Sequence, residues 1–118
     1  MDKSTCEFGK ELENYIAEKF KELGYKNACR SNGSGNKGSI GDISGIDYFA
    51  VECKNRNTDS VTIKEDVWKK LKDFIPLHSN RLPMLVLRNK SKQTFCVMEA
   101  NDMFTIIKGW LTNLDGKV

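Results

Sequence analysis

The chain has a single histidine, no two cysteines at C-x-x-C spacing and no apolar run near the length of a membrane span. Each absence removes a class of protein. Cys6, Cys29, Cys53 and Cys96 lie far apart and none neighbours His78, so the usual zinc ligand sets are missing. A helix that crosses a bilayer needs about 20 consecutive apolar residues, so no membrane role is expected. The first six residues carry no apolar stretch of the signal-peptide kind, which makes a reducing cytoplasm the expected compartment and free thiols the expected state. Cys29, Cys53 and Cys96 fall in strand-like runs and read as small buried hydrophobes. His78, alone in a connector, reads as a surface residue. There is no internal repeat and no low-complexity tail.

What is present suits one soluble α/β domain spanning residues 1–118. A length of 118 residues, 39% of them hydrophobic and 30% charged, is enough for a single core. The net charge of +3 permits an acidic partner such as nucleic acid without requiring one. Apolar residues recur at three- and four-residue intervals over 8–23, which predicts an amphipathic helix ended by Gly24. A second helix is expected over 64–75, with Val67, Trp68 and Leu71 on one side and Lys64, Lys69, Lys70 and Lys72 largely on the other. A third is expected over 102–114, where Phe104, Ile107, Trp110, Leu111 and Leu114 are available for packing, in the core or else, like the Trp68 helix, as a candidate surface for a second copy. Residues 25–30 read as a short strand. The nearly continuous apolar run over 83–88 reads as a central buried strand, and 93–99 as its hairpin partner. The expected architecture is a central mixed β-sheet flanked by helices.

The stretch 41–54 carries the chemistry. It reads as a hairpin that turns at Ser44-Gly45 and continues into a central strand. Side chains alternate along a strand, so Phe49, Val51 and Cys53 share an apolar face and Ala50, Glu52 and Lys54 share the other, with Asp42 on the partner arm. An acid and an ammonium on a central strand need a reason, because burying charge is costly. Metal-dependent phosphodiester hydrolysis supplies one. A hard cation such as Mg²⁺ takes a few carboxylates together with water and substrate phosphate. Asp42 and Glu52 offer two carboxylates, the backbone carbonyl of Cys53 a third oxygen, and Lys54 a cation to orient water and stabilise developing charge. Among the acids of the first helix, Glu13 lies nearest the apolar stripe. It can complete the shell or hold a metal-bound water, with Glu11 as the alternative helix acid. Residues 31–41 hold four glycines and three serines. They form either a flexible connector or a loop whose N–H groups, hydroxyls and Lys37 approach phosphates.

Asp42 followed by Glu52-Cys53-Lys54, with Leu12-Glu13-Asn14 before and Cys29-Arg30-Ser31 leading into the glycine-rich loop, resembles the PD-(D/E)xK nuclease superfamily. The chain is most similar to the archaeal-type Holliday junction resolvases, over about residues 10–88. Gly41 stands where that family often has proline. The resemblance implies a restriction-endonuclease-like core and a Mg²⁺-dependent endonuclease, with Mn²⁺ able to substitute, that acts on four-way DNA junctions as a homodimer. It also implies DNA contact or catalytic assistance by Arg30 and Ser34. The alternatives are another endonuclease of the superfamily, of restriction-like, nicking or mobile-element type, or a non-catalytic module that reads DNA structure through Arg30, Lys37, Arg56 and the second-helix lysines.

Overall fold

The computed structural model describes residues 5–31, 41–75 and 80–115, so Ser34, Lys37 and His78 lie outside the described residues. Eight elements follow in order: α1 (Thr5–Glu22), β1 (Cys29–Arg30), β2 (Ile43–Ser44), β3 (Phe49–Asn55), α2 (Glu65–Phe74), β4 (Leu82–Arg88), β5 (Thr94–Val97) and α3 (Ala100–Asp115). The chain is a small α/β protein with three helices and a mixed three-stranded sheet. β4 is central, with β3 parallel on one side and β5 antiparallel on the other. Its composition explains the place: Leu85, Val86 and Leu87 are all fully buried, as befits a strand covered on both faces. Parallel neighbours need a crossover, and α2 supplies it between β3 and β4.

The period-two pattern of β3 divides two layers. Val51 and Cys53 face α1 and share a core with Leu12, Ile16, Ala17, Phe20 and Val86. Ala50 points the other way, toward the side of the sheet covered by α2, whose Leu71 is buried. The end of α1 is set by Gly24 at φ +114°, a conformation that side chains resist. There the Tyr25 N–H donates to Phe20 O and the Gly24 N–H to Lys21 O, while the Phe20 and Tyr25 rings meet edge-on at 5.7 Å.

Asn89 is buried just past β4 and ties two loops together. Its side-chain amide donates to Asp59 O (3.1 Å) and to Gln93 Oε1 (2.8 Å), and its carbonyl accepts from the Gln93 N–H (2.9 Å). Asn89→Leu leaves those partners unsatisfied and is expected to cost about 2–3 kcal/mol, read as a lower urea midpoint. A midpoint unchanged from wild type would show the network to be dispensable.

Four sequence expectations are corrected. Residues 41–54 do not form a hairpin: β2 pairs antiparallel with β1, and Gly41 bridges Val51 in parallel sense. The two-residue strands carry no periodicity from which that pairing can be read. β3 is an edge of its sheet and not central, touched on its outer side only by that bridge and Asp42 among the described residues. Of the three cysteines in strand-like runs, Cys53 is buried, whereas Cys29 and Cys96 are exposed. The apolar residues of α3 are likewise exposed and not core. Among the described residues no helix is long and apolar enough to cross a membrane.

Candidate active site

The edge of β3 creates the site. An edge strand presents backbone groups that no neighbouring strand satisfies. On β3 the incoming chain satisfies them: the Asp42 N–H donates to Val51 O at 2.6 Å, and the Cys53 N–H donates to Asp42 Oδ2 at 2.7 Å. Residues 51 and 53 therefore turn their backbone groups to the same edge, which aims the Cys53 carbonyl beside the Asp42 carboxylate. Gly41 makes the approach possible. It sits at φ +81°, and a Cβ there would overlap the Val51 backbone. Proline is excluded here, because its ring holds φ near −65°.

Ser31 fixes the other side of Asp42. Its N–H donates to Asp42 O (2.8 Å) and its hydroxyl to Gly41 O (3.1 Å), with Ser44 Oγ 2.9 Å away. Arg81 holds the following turn by donating from Nη1 to Ile46 O (3.0 Å) and Phe49 O (3.3 Å). Arg81 did not stand out in the sequence, and Ser31 entered only as the neighbour of Arg30, without a role of its own. An isolated serine or arginine carries no pattern, and only its buried backbone partners reveal its role.

Glu52 and Lys54 share a face of β3, and their charged groups lie 3.6 Å apart, partly sheltered from solvent. Burial raises the Asp42 carboxyl above its ordinary range, against the lowering pull of the Cys53 N–H and the Lys54 charge. Burial, then the Asp42 charge, pushes Glu52 up to about 7. Two carboxylates this near resist ionising together. Burial and the carboxylates of Asp42, Glu13 and Glu52 also push up the Cys53 thiol, so its side chain packs as a neutral group while its backbone serves the site.

Glu13 approaches from α1, and its carboxyl is raised by burial and by Asp42. Its Oε1 accepts from Arg30 Nε at 2.7 Å. Of the two candidate helix acids, Glu13 is thus the one near Asp42. Glu11 instead lines a surface depression with Asn14, Tyr15, Glu18, Arg88 and Lys92. Arg30, expected at DNA, is committed through Nε to Glu13. Arg56 lies just past β3, where its N–H donates to Arg88 O at 2.8 Å.

Among the described residues no three His, Cys, Asp or Glu side chains converge closely enough to hold a metal ion by themselves. Glu13 lies close enough to the Asp42–Glu52 pair for the Asp42 charge to help raise its carboxyl. The pair itself suits a small hard cation. Two carboxylates held at raised pKa gain from a positive charge between them, and Mg²⁺ commonly takes only one or two carboxylates from a protein.

Comparison of the chain with family models, with curated proteins and with solved structures returns no match.

Proposed function

We propose that this chain is a Mg²⁺-dependent DNA endonuclease with a restriction-endonuclease-like core, and that it cuts four-way junctions by phosphodiester hydrolysis. The observation that carries the reading is the meeting of Asp42 with the Glu52–Lys54 edge of β3, where the Cys53 N–H donates to Asp42 Oδ2. An acid, a second acid of raised pKa and a lysine meet at one partly buried strand edge, and a solvated surface pair needs none of these features.

Asp42, Glu52 and the Cys53 carbonyl would hold the cation, with Mn²⁺ able to substitute for Mg²⁺. When bound it supplies Lewis-acid activation of water and neutralises charge on the scissile phosphate. The remaining work belongs to the chain. Lys54 holds an ammonium beside Glu52, where it orients a water and stabilises negative charge growing on phosphate oxygen. Ser31 and the Gly41 turn fix Asp42 against β3, so its carboxylate needs no reorganisation during reaction. Arg30 holds the Glu13 carboxylate in place beside the pair.

The test is cleavage of a synthetic four-way junction and of a linear duplex of the same sequence, with Mg²⁺, by wild type and Asp42→Asn. Wild type is expected to cut the junction in preference. Asp42→Asn is expected to bind it but cut roughly 10²–10³-fold more slowly. Cleavage governed by duplex sequence would favour a restriction-like enzyme. Binding of junction, flap and single-stranded DNA without cutting under Mg²⁺ or Mn²⁺ would end the nuclease reading.

A further inference from the structure

α3 is an amphipathic helix on which no other helix or strand packs closely among the described residues. Its large apolar side chains between residues 103 and 114 are 37–65% exposed, with Phe104 and Trp110 the most open. At about 100° per residue they form one continuous arc of roughly 160°.

Such a helix does not support itself. It has 16 residues and includes Thr105, Ile106, Ile107, Gly109, Thr112 and Asn113, all weak helix formers. A helix of that length and composition is marginal in water unless its apolar face is covered.

The chemistry of the face selects the occupant. The only cation of α3 is Lys108, against Asp102 and Asp115, so the helix lacks the basic polar face that anionic membranes or DNA backbone would attract. The face is therefore suited to protein. Taking ~200 Å² for a fully exposed large side chain, it offers roughly 700 Å² of apolar surface, close to the ~800 Å² per partner of a stable complex. A closed two-fold pair buries the same patch on both members and leaves none over. The choice of a second copy rests on the proposed junction nuclease, because paired cuts need two active sites related by such an axis.

We propose that α3 is the face through which two copies of this chain associate, antiparallel across a two-fold axis near Ile107. The axis falls at the middle of the helix and near the centre of its apolar arc. Docking completes the helix as well as the dimer.

Sedimentation of the full chain, without DNA or metal, tests this. Wild type is expected at twice its 13.4 kDa mass. The double variant Ile107→Asp with Trp110→Asp is expected as a monomer, with a dissociation constant raised at least ~30-fold. That monomer should lose far-UV ellipticity equivalent to about one helix while its remaining core melts cooperatively as before. Phe74→Asp, at an exposed apolar site on α2, should remain dimeric. A monomeric wild type at ~100 μM, a dimeric double variant, dissociation caused by Phe74→Asp, or monomers that dock on neutral lipid vesicles would each overturn the proposal. Pairing is read apart from cleavage. A dimer that cuts nothing removes the nuclease reading alone, and a monomer that cuts junctions removes the pairing alone.

Discussion

Glu52→Gln is expected to abolish cutting and, in the same protein, to raise stability. The Glu52 carboxyl lies near 7 in the fold against an ordinary 4.5. The native state therefore holds a proton that the unfolded chain has released between those values, and stability falls as pH rises through that window. At about 1.4 kcal/mol per unit that shift corresponds to roughly 3 kcal/mol, and solvent screening of the partly exposed carboxylate reduces its cost to the metal-free fold to on the order of 2 kcal/mol above pH 7. Glutamine keeps the shape and carries no charge to repel Asp42. In EDTA, wild type should melt progressively lower from pH 5 to pH 8. Glu52→Gln should follow a shallower slope, not a flat one, because Asp42 and Glu13 are raised as well. At pH 8 the variant should melt several degrees above wild type. Added Mg²⁺ should raise wild type and leave the variant where it was, while junction cutting drops by about 10²-fold or more. Equal melting temperatures at pH 8 in EDTA would show that the carboxylate pair is not under electrostatic stress.

Gly41→Ala is expected to be, with Gly45→Ala, among the most damaging small substitutions at the described residues. Two costs coincide there. A side chain at φ +81° is strained by about 1–3 kcal/mol, and its Cβ would overlap the backbone of Val51, which is fixed in the sheet. Gly24 separates the two costs. It also has positive φ, but a Cβ there meets open space. Gly24→Ala should then lose about 1–2 kcal/mol, from strain alone, and Gly41→Ala at least ~3 kcal/mol, by urea unfolding. Gly41→Pro should be worse still. Gly41→Ala that does fold should not cut DNA, because moving residue 41 off Val51 pulls Asp42 from the Cys53 N–H. Similar losses at both glycines would mean that the approach to β3 is looser than its geometry indicates.

The parts of the fold legible in the sequence were those with long repeating patterns. The three helices follow from apolar spacing, β4 from an unbroken apolar run, and the split faces of β3 from strict alternation of Phe49, Val51 and Cys53 with Ala50, Glu52 and Lys54. The grouping of Asp42 with Glu52 and Lys54 was legible too, but the path that joins them was not. β1 and β2 have two residues each, too few to show a period, and positive φ at Gly41 leaves no trace beyond the glycine itself. Arg30 shows a different limit. Its charge suggests phosphate, while its partner Glu13 lies 17 residues away on another element, a pairing set by tertiary packing alone. Periodicity in α3 likewise announced an apolar face and left open what covers it.

The hydrogen bond from the Cys53 N–H to Asp42 also bears on how the edge of β3 is shielded from other strands. Phe49, Ala50 and Val51 give β3 the composition of a strand that recruits other strands, and its outer side has no full partner among the described residues. A charged group seated at such an edge blocks docking by a foreign chain. Asp42 is that gatekeeper as well as a proposed cation ligand. Removal of its side chain by alanine uncovers a sticky border in the same stroke as it disables chemistry, whereas asparagine leaves an acceptor for the N–H. The proposed chemistry and protection against self-aggregation therefore fall on the same two oxygens.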